Sequence, residues 1–408
     1  DFDTRSTDST QQTLRLVGGL RGNFNDNWSF EVFGNYGQTN VSQTGTGQIN
    51  VMNFRESQKI VPDGNGGYIC ADPNAVAGGC VPANIFGLNS IKGAALTYLE
   101  APSNYLAVLK ETQIGANVTG SIPSLWGADP VGVTVGVEYR RESSDERWDA
   151  LQTLGLNGSN AFPPTSGEFD VREAYGEVLI PLISKGFVDN LSIRGAARYS
   201  DYSTVGDTFS WNAGGEFAPI QDVRFRAMYA VTVRAPNISE LFAGPNQDFP
   251  SVDDPCEGIG ATGGGALGAN CRAAPGVAAN IATNGTFLVT QSDRQGVTSF
   301  GGGNPNLSEE KGKTFTAGVV INPRSIDALR NLSLSVDYFS VKIEDAIVDT
   351  PLQFILDQCY GQGNASFCDF VVRRSTAQGA NSAGSLREVN NGPSNSGGIR
   401  TSGIDVTM

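Results

Sequence analysis

Histidine is absent from the chain. That removes the commonest general base and the commonest metal ligand. Long apolar runs are absent as well: no stretch approaches the roughly 18 residues of a membrane-spanning helix, and only 39% of residues are hydrophobic. No block of lysine or arginine appears, and the net charge is −14. A phosphate backbone finds nothing to attract it, so no nucleic-acid partner is expected. GxSxG, HExxH and P-loop patterns are missing, and no pair stands out among the 42 acidic residues. The chain does not read as an enzyme, and nothing in it calls for a cofactor or a metal. It starts at Asp1 without methionine or an apolar leader and stops within "RTSGIDVTM", which reads as a fragment with both ends missing.

Cysteine is scarce but arranged. Cys70 and Cys80, Cys256 and Cys271, and Cys359 and Cys368 form three local pairs, none spaced as CxxC. This suits disulfides in an oxidising compartment better than zinc or redox chemistry. Six cysteines allow 15 connectivities, of which nearest-neighbour pairing is the expected one. Each such bridge is worth about 3 kcal/mol by loop-entropy arithmetic.

What is abundant is alternation. In "DVRFRAMYAVTVRAPNISELF" (222–242), Val223, Phe225, Ala227, Tyr229, Val231 and Val233 share one parity, and Arg224, Arg226, Met228, Thr232 and Arg234 the other. The same pattern recurs in about eleven segments of roughly ten residues. Leu14, Leu16 and Leu20 oppose Arg15 and Arg21; Val131, Val133, Val135 and Val137 alternate with Thr134 and Glu138; Leu334, Val336 and Tyr338 oppose Ser335 and Asp337. A strand of this kind has one face in water and one out of it.

The connections choose between a sandwich and a barrel. "GNFNDN", "SIPSLWGADP", "PLISKGFVDN", "APIQD" and "NPRSIDALRN" are short and fall at one end of the strands, whereas every long connection, with all six cysteines, falls at the other. Greek-key sandwiches mix the two ends. Short turns opposite long loops are the pattern of an antiparallel up-and-down transmembrane β-barrel. The whole span 1–408 therefore reads as part of one such barrel, with a lumen lined by Arg194, Arg198, Arg224, Arg226, Glu138, Glu173 and Glu177. That mixed-charge wall could attract a solute, hold a plug by salt bridges, or simply stay wet. Trp28, Tyr36, Tyr139, Tyr199, Trp211 and Tyr338 near strand ends fit interfacial girdles, although aromatics favour strands in any case.

Three loop motifs have weaker chemistry. "GIGATG" (258–263) matches GxGxxG, but Pro255 and Cys256 precede it where a dinucleotide site needs a strand, so a flexible loop is expected. Asp253, Asp254 and Glu257 lack the regular oxygen-ligand spacing of a known calcium loop. "DTPLQFILDQC" (349–359) predicts a short helix capped by Thr350 with Pro351 at its first position, serving as a lid or a loop stiffener.

"VRAPNISELF" (233–242) followed by "GGGNPNLSEEKGKTFTAGVV" (301–320) resembles the paired boxes of TonB-dependent outer-membrane receptors, in which an FRAP-like strand end and an NPNL box bracket one large outer loop. "GCVPANIFG" (79–87), "LSVDYFSVKIEDAI" (334–347) and "TSGIDV" (401–406) extend the resemblance over nearly the whole chain. It implies a barrel of about 22 strands closed by a plug, of which this chain would supply eleven, with the plug and the last strands not included. It also implies a bacterial outer-membrane location and active import of a scarce nutrient, energised by TonB, ExbB and ExbD. Haem capture departs from the pattern, because Val233 replaces the box phenylalanine and no histidine lies between the boxes. Arg234, Ala235, Pro236 and Asn237 in the first box, and Asn304, Pro305, Asn306 and Leu307 in the second, are expected to end and restart strands rather than touch solute. Members resembled through "CVPANIFG"-like stretches and cysteine-bearing loops include carbohydrate importers, so the solute is expected to be an oligosaccharide or, failing that, a ferric siderophore. A passive porin and a secreted disulfide-braced β-rich module or hydrolase are the alternatives.

Overall fold

The computed structural model describes residues 2, 4–124 and 126–408. Eleven antiparallel strands form one sheet in sequence order: β1 (Ser6–Asn25), β2 (Trp28–Thr46), β3 (Ser103–Ile122), β4 (Val131–Trp148), β5 (Thr165–Ser184), β6 (Asn190–Tyr202), β7 (Gly206–Ile220), β8 (Val223–Arg234), β9 (Glu310–Ile321), β10 (Leu334–Asp349) and β11 (Pro393–Thr407). Each pairs only with its sequence neighbours, and β1 and β11 form the two edges.

The register carries the alternation across the sheet. Leu20, Val32, Ala116, Val137 and Ala174 lie in one pairing row from β1 to β5. On the apolar face, side chains such as Leu20 (74% exposed), Val135 (52%) and Phe225 (47%) present much of their surface outward. Leu191, Ile193, Phe217, Phe225, Val319 and Tyr338 border a shallow apolar depression there. In water this much exposed apolar surface would be a liability; against acyl chains it is the stable face. No helix among the described residues is long and apolar enough to cross a membrane, which says nothing of crossing by strands.

The strands are longer than the roughly ten residues expected, with 20 in β1 and 12 in β8. The excess lies toward the long loops and is polar on both faces, as in "STDSTQQT" of β1 and "RRESSDERW" of β4. A bilayer core needs only about 9–11 tilted residues. The polar ends therefore stand above the lipid as a collar, invisible to a search for alternation because neither face there is apolar.

Short connections occupy 26–27, 123–130, 185–189, 221–222 and 322–333, while 47–102, 149–164, 203–205, 235–309 and 350–392 lie at the other end. The long ones form a structured cap. The 235–309 and 350–392 loops share one core, in which Val277, Ile281 and Phe287 from the first pack with Ile355, Leu356 and Val389 from the second. The structure joins Cys256 to Cys271 and Cys359 to Cys368 within this cap, and Cys70 to Cys80 in the 47–102 loop. Val51 N–H donates to Leu156 O, and Gln247 N–H to Ala161 O, which ties the remaining long loops to the cap.

The structure gives each of the three loop motifs its setting. The helix Leu352–Leu356 does form, but Pro351 takes the N-cap position, and Thr350 Oγ1 lies 3.0 Å from Ser394 Oγ instead. Ile355, Leu356 and Cys359 are buried in the cap core, which makes the helix a structural stiffener. "GIGATG" is not a loose loop: a helix, Gly265–Ala273, follows it, and Arg272 donates to Gly260 O and Gly263 O. The acidic trio is divided, with Asp254 on Arg373 and Glu257 on Arg294.

Asp293 gives the cap an acid sensitivity. It is buried at 2% exposure. Burial pushes its carboxyl up, but N–H groups of Thr290 and Ser382 and the Thr290 hydroxyl outweigh this and hold it below the usual aspartate range. A folded-state value below the unfolded one adds stability above pH of about 4, lost as pH falls through the folded value. The protection of residues 277–295 against hydrogen exchange, taken relative to the intrinsic rate at each pH, should fall on acidification below pH of about 4, and Asp293→Asn should be less protected at neutral pH with a flatter dependence on pH. An unchanged slope in the variant would remove Asp293 from the account.

Candidate functional site

The polar face is the concave one. The helix Ile238–Phe242, which leaves the end of β8, reaches across to place the Phe242 ring over Gly167 of β5, where an added Cβ would lie 2.3 Å from it. The start of the same helix faces Thr13, Arg15 and Glu111 on β1 and β3. Only a curled sheet brings those strands together.

The sequence-predicted wall residues share this face, mostly in pairs. Arg198 lies 3.0 Å from Glu173 and 4.7 Å from the Tyr175 ring centre, and Ser200 also donates to Glu173. Arg226 grips Asp337 with two hydrogen bonds of 2.9 and 2.6 Å. Arg224 stands 3.9 Å from Glu216, and Glu138 accepts from Gln113. Arg194 has no ion pair among the described residues and borders a hollow with Glu177, Asn212 and Met228. The bidentate Arg226–Asp337 pair and the Arg198–Glu173 pair satisfy their charges within the wall, and Arg224 lies near Glu216.

The two boxes meet in space. Arg234 makes paired hydrogen bonds to Glu310 (2.8 and 2.7 Å) and to Glu240 (both 3.0 Å). Glu240 in turn closes a capping box with Asn237 at the start of the helix. Asn304 N–H donates to Glu240 O, and its side chain donates to Pro393 O. Asn304 Oδ1 accepts from Asn306 N–H, and Pro236 and Leu307 are buried. Gly303 lies so close to the helix that a Cβ would stand 2.5 Å from the backbone of Leu241 and Phe242. The boxes therefore fix the helix that walls the mouth. Ala235 and Pro305 adjoin these contacts in the chain.

That helix and the polar ends of β1–β4 enclose a cavity of about 650 Å³. Its lining runs from Arg15 through Asn35 to Glu111, joined by hydrogen bonds of 3.0 and 2.9 Å, and continues to Glu142, Ser144 and Glu146. Beside Glu146, whose carboxylate accepts from the Tyr105 hydroxyl, Tyr105, Trp148 and Phe162 form a ring stack with centroids 4.6 and 5.4 Å apart. Flat apolar faces next to carboxylates and amides are suited to ligands with both C–H faces and hydroxyls. The sequence reading missed Arg15, Asn35, Glu111, Glu142, Glu146, Tyr105 and Trp148 as a group. The available signal was the polar run ending in an aromatic, "RRESSDERW", directly beyond an alternating segment.

No curated protein matches the chain. Solved structures resemble it at low identity. The RagAB peptide transporter is 13% identical, with TM-score 0.47, over 98% of this chain and 34% of that one. The siderophore receptor PirA from Pseudomonas aeruginosa is 12% identical, with TM-score 0.43, over 97% and 53%. The ferric enterobactin receptor PfeA is 13% identical, with TM-score 0.42, over 100% and 60%. The chain thus spans between about a third and three fifths of the length of these relatives. The family model described as TonB dependent receptor-like, beta-barrel, matches residues 1–408. With its eleven-stranded meander, lipid-compatible face and capped mouth, the chain belongs to the TonB-dependent receptors, the β-barrel proteins of the bacterial outer membrane.

Proposed function

We propose that this chain forms the wall and mouth of an importer that takes a neutral oligosaccharide across the outer membrane, energised through TonB, ExbB and ExbD. Family membership supports the energised import. The mouth cavity supports the solute class, and the cluster of Tyr105, Trp148 and Phe162 rings that adjoins its lining at Glu146 is the observation that carries it. Sugar rings offer C–H faces to aromatics and hydroxyls to carboxylates and amides, and a pocket gains specificity from a few placed polar groups on an apolar floor. Glu111, Glu142 and Glu146 outnumber Arg15 and Lys110 in the lining, which disfavours an anionic ferric chelate, and Arg198, Arg226 and Arg234 are committed to carboxylates of the wall and rim.

Calorimetry on the intact receptor in detergent should detect neutral glucans. Trp148→Ala should weaken that binding about tenfold, the equivalent of roughly 1.4 kcal/mol. Saturable binding of a ferric chelate or a peptide, with none of glucans, would reject the oligosaccharide reading.

A further inference from the structure

A second cavity, of about 420 Å³, lies where the cap meets the barrel rim. Its lining includes Asn304, Asn306, Asn391, Thr350, Phe367 and Phe370, and no charged side chain contributes to it. In a chain of net charge −14, that neutrality sets this cavity apart from the first one. An anion would find no cation in it and a cation no carboxylate, whereas the Asn306 amide can both donate to and accept from a neutral partner; Asn304 and Asn391 donate within the lining to Pro393 O and Thr350 O, and the Thr350 hydroxyl pairs with that of Ser394. Phe370 is 46% exposed, and the exposed Asn306 has a side-chain amide that bonds to no described residue.

The two cavities are back to back. Gly303 N–H donates to Ala243 O and Asn304 N–H to Glu240 O, so the second box lies directly behind the helix that walls the first cavity. The missing side chain at Gly303 lets the two backbones touch. Arg234, bonded to Glu240 in the helix and to Glu310 beyond the second box, holds that contact in place.

We propose that the cavity behind the second box is a second subsite for the neutral oligosaccharide, engaging sugar units that extend past those held at the Trp148 stack. This rests on the oligosaccharide reading above. A single subsite of either kind buries little of a polar ligand, and linking two converts the second contact into an intramolecular one with a high effective concentration.

The test uses the intact receptor, linear neutral glucans of graded length, and the exposed-site variants Phe370→Ala and Asn306→Ala. Each variant should bind long glucans about tenfold more weakly and leave the shortest binding glucans unchanged. Long glucans should also slow hydrogen exchange at residues 302–306 and 391–394. Binding of glucans at wild-type strength by both variants, with protection confined to the β1–β4 rim, would overturn the second subsite and leave the oligosaccharide reading intact. Absence of glucan binding to the unmodified receptor, while a peptide or ferric chelate binds, would overturn both.

Discussion

Arg373→Ala is expected to destabilise the cap by about 3–5 kcal/mol, the range for leaving a buried charge without its partner. Arg373 and Asp254 are 1% and 5% exposed at their side chains. The guanidinium gives two 2.7 Å hydrogen bonds to the Asp254 carboxylate, one of 2.7 Å to the Tyr360 hydroxyl and one of 2.7 Å to Gly384 O, and it stacks 4.6 Å from the Tyr360 ring centre. Burial acts to lower the Arg373 pKa, but the bonds and charge of Asp254 outweigh it and hold it above its ordinary value. Alanine would leave the buried Asp254 carboxylate with the Cys256 N–H in place of its guanidinium partner. Limited proteolysis and hydrogen exchange should show residues 250–300 and 352–392 opening together, while the barrel strands keep their protection. The double variant Arg373→Met with Asp254→Leu should recover most of the loss, because it removes both charges at once. If Arg373→Ala exchanges like the parent protein, the buried pair is not what holds the two loops together.

Val135→Arg is expected to cost about 2–4 kcal/mol, the depth-dependent penalty for arginine on the lipid face near mid-bilayer. Val135 sits midway along the alternating part of β4, 52% exposed, paired with Val118 and Gly176. Its neighbour Thr134 points to the concave side, bonds to Thr119 and is paired with Glu177. Thr134→Arg should cost little, since water and Glu177 can accept the new charge there. Folding titrations into bilayers of the intact receptor would measure both. Equal costs for the two substitutions would abolish the assignment of faces, and a larger cost for Thr134→Arg would reverse it.

The two variants probe different layers of the same design. The barrel wall is stabilised by hydrogen bonds between sequence neighbours and by lipid on its outer face. The cap is a small water-facing domain with its own core, and the 15-residue separation of Cys256 and Cys271 gives it one of the constraints that small cores need. A loss confined to the cap should weaken solute capture without removing the barrel from the membrane.

Sequence alone determined the wall. A strand's side chains alternate with period two whatever surrounds it, so Val131 to Val137 or Val223 to Val233 declare which face is kept from water, and the sorting of short turns from long loops makes that face the lipid-facing one. Turn length declares which strands are neighbours, and local cysteine spacing favoured, among 15 connectivities, the pairs Cys70–Cys80, Cys256–Cys271 and Cys359–Cys368 that the structure contains. The polar collar escaped because strand residues there have water on both sides and lose the period. The cap and its cavities were decided only by tertiary structure. Arg373 meets Asp254 across 119 residues of chain, Arg234 meets Glu310 across 76, and the mouth cavity gathers residues from Thr13 to Ser239. Such contacts leave no local periodicity, since they depend on how a curled sheet brings distant strand ends together and on which loop surfaces then exclude water from one another.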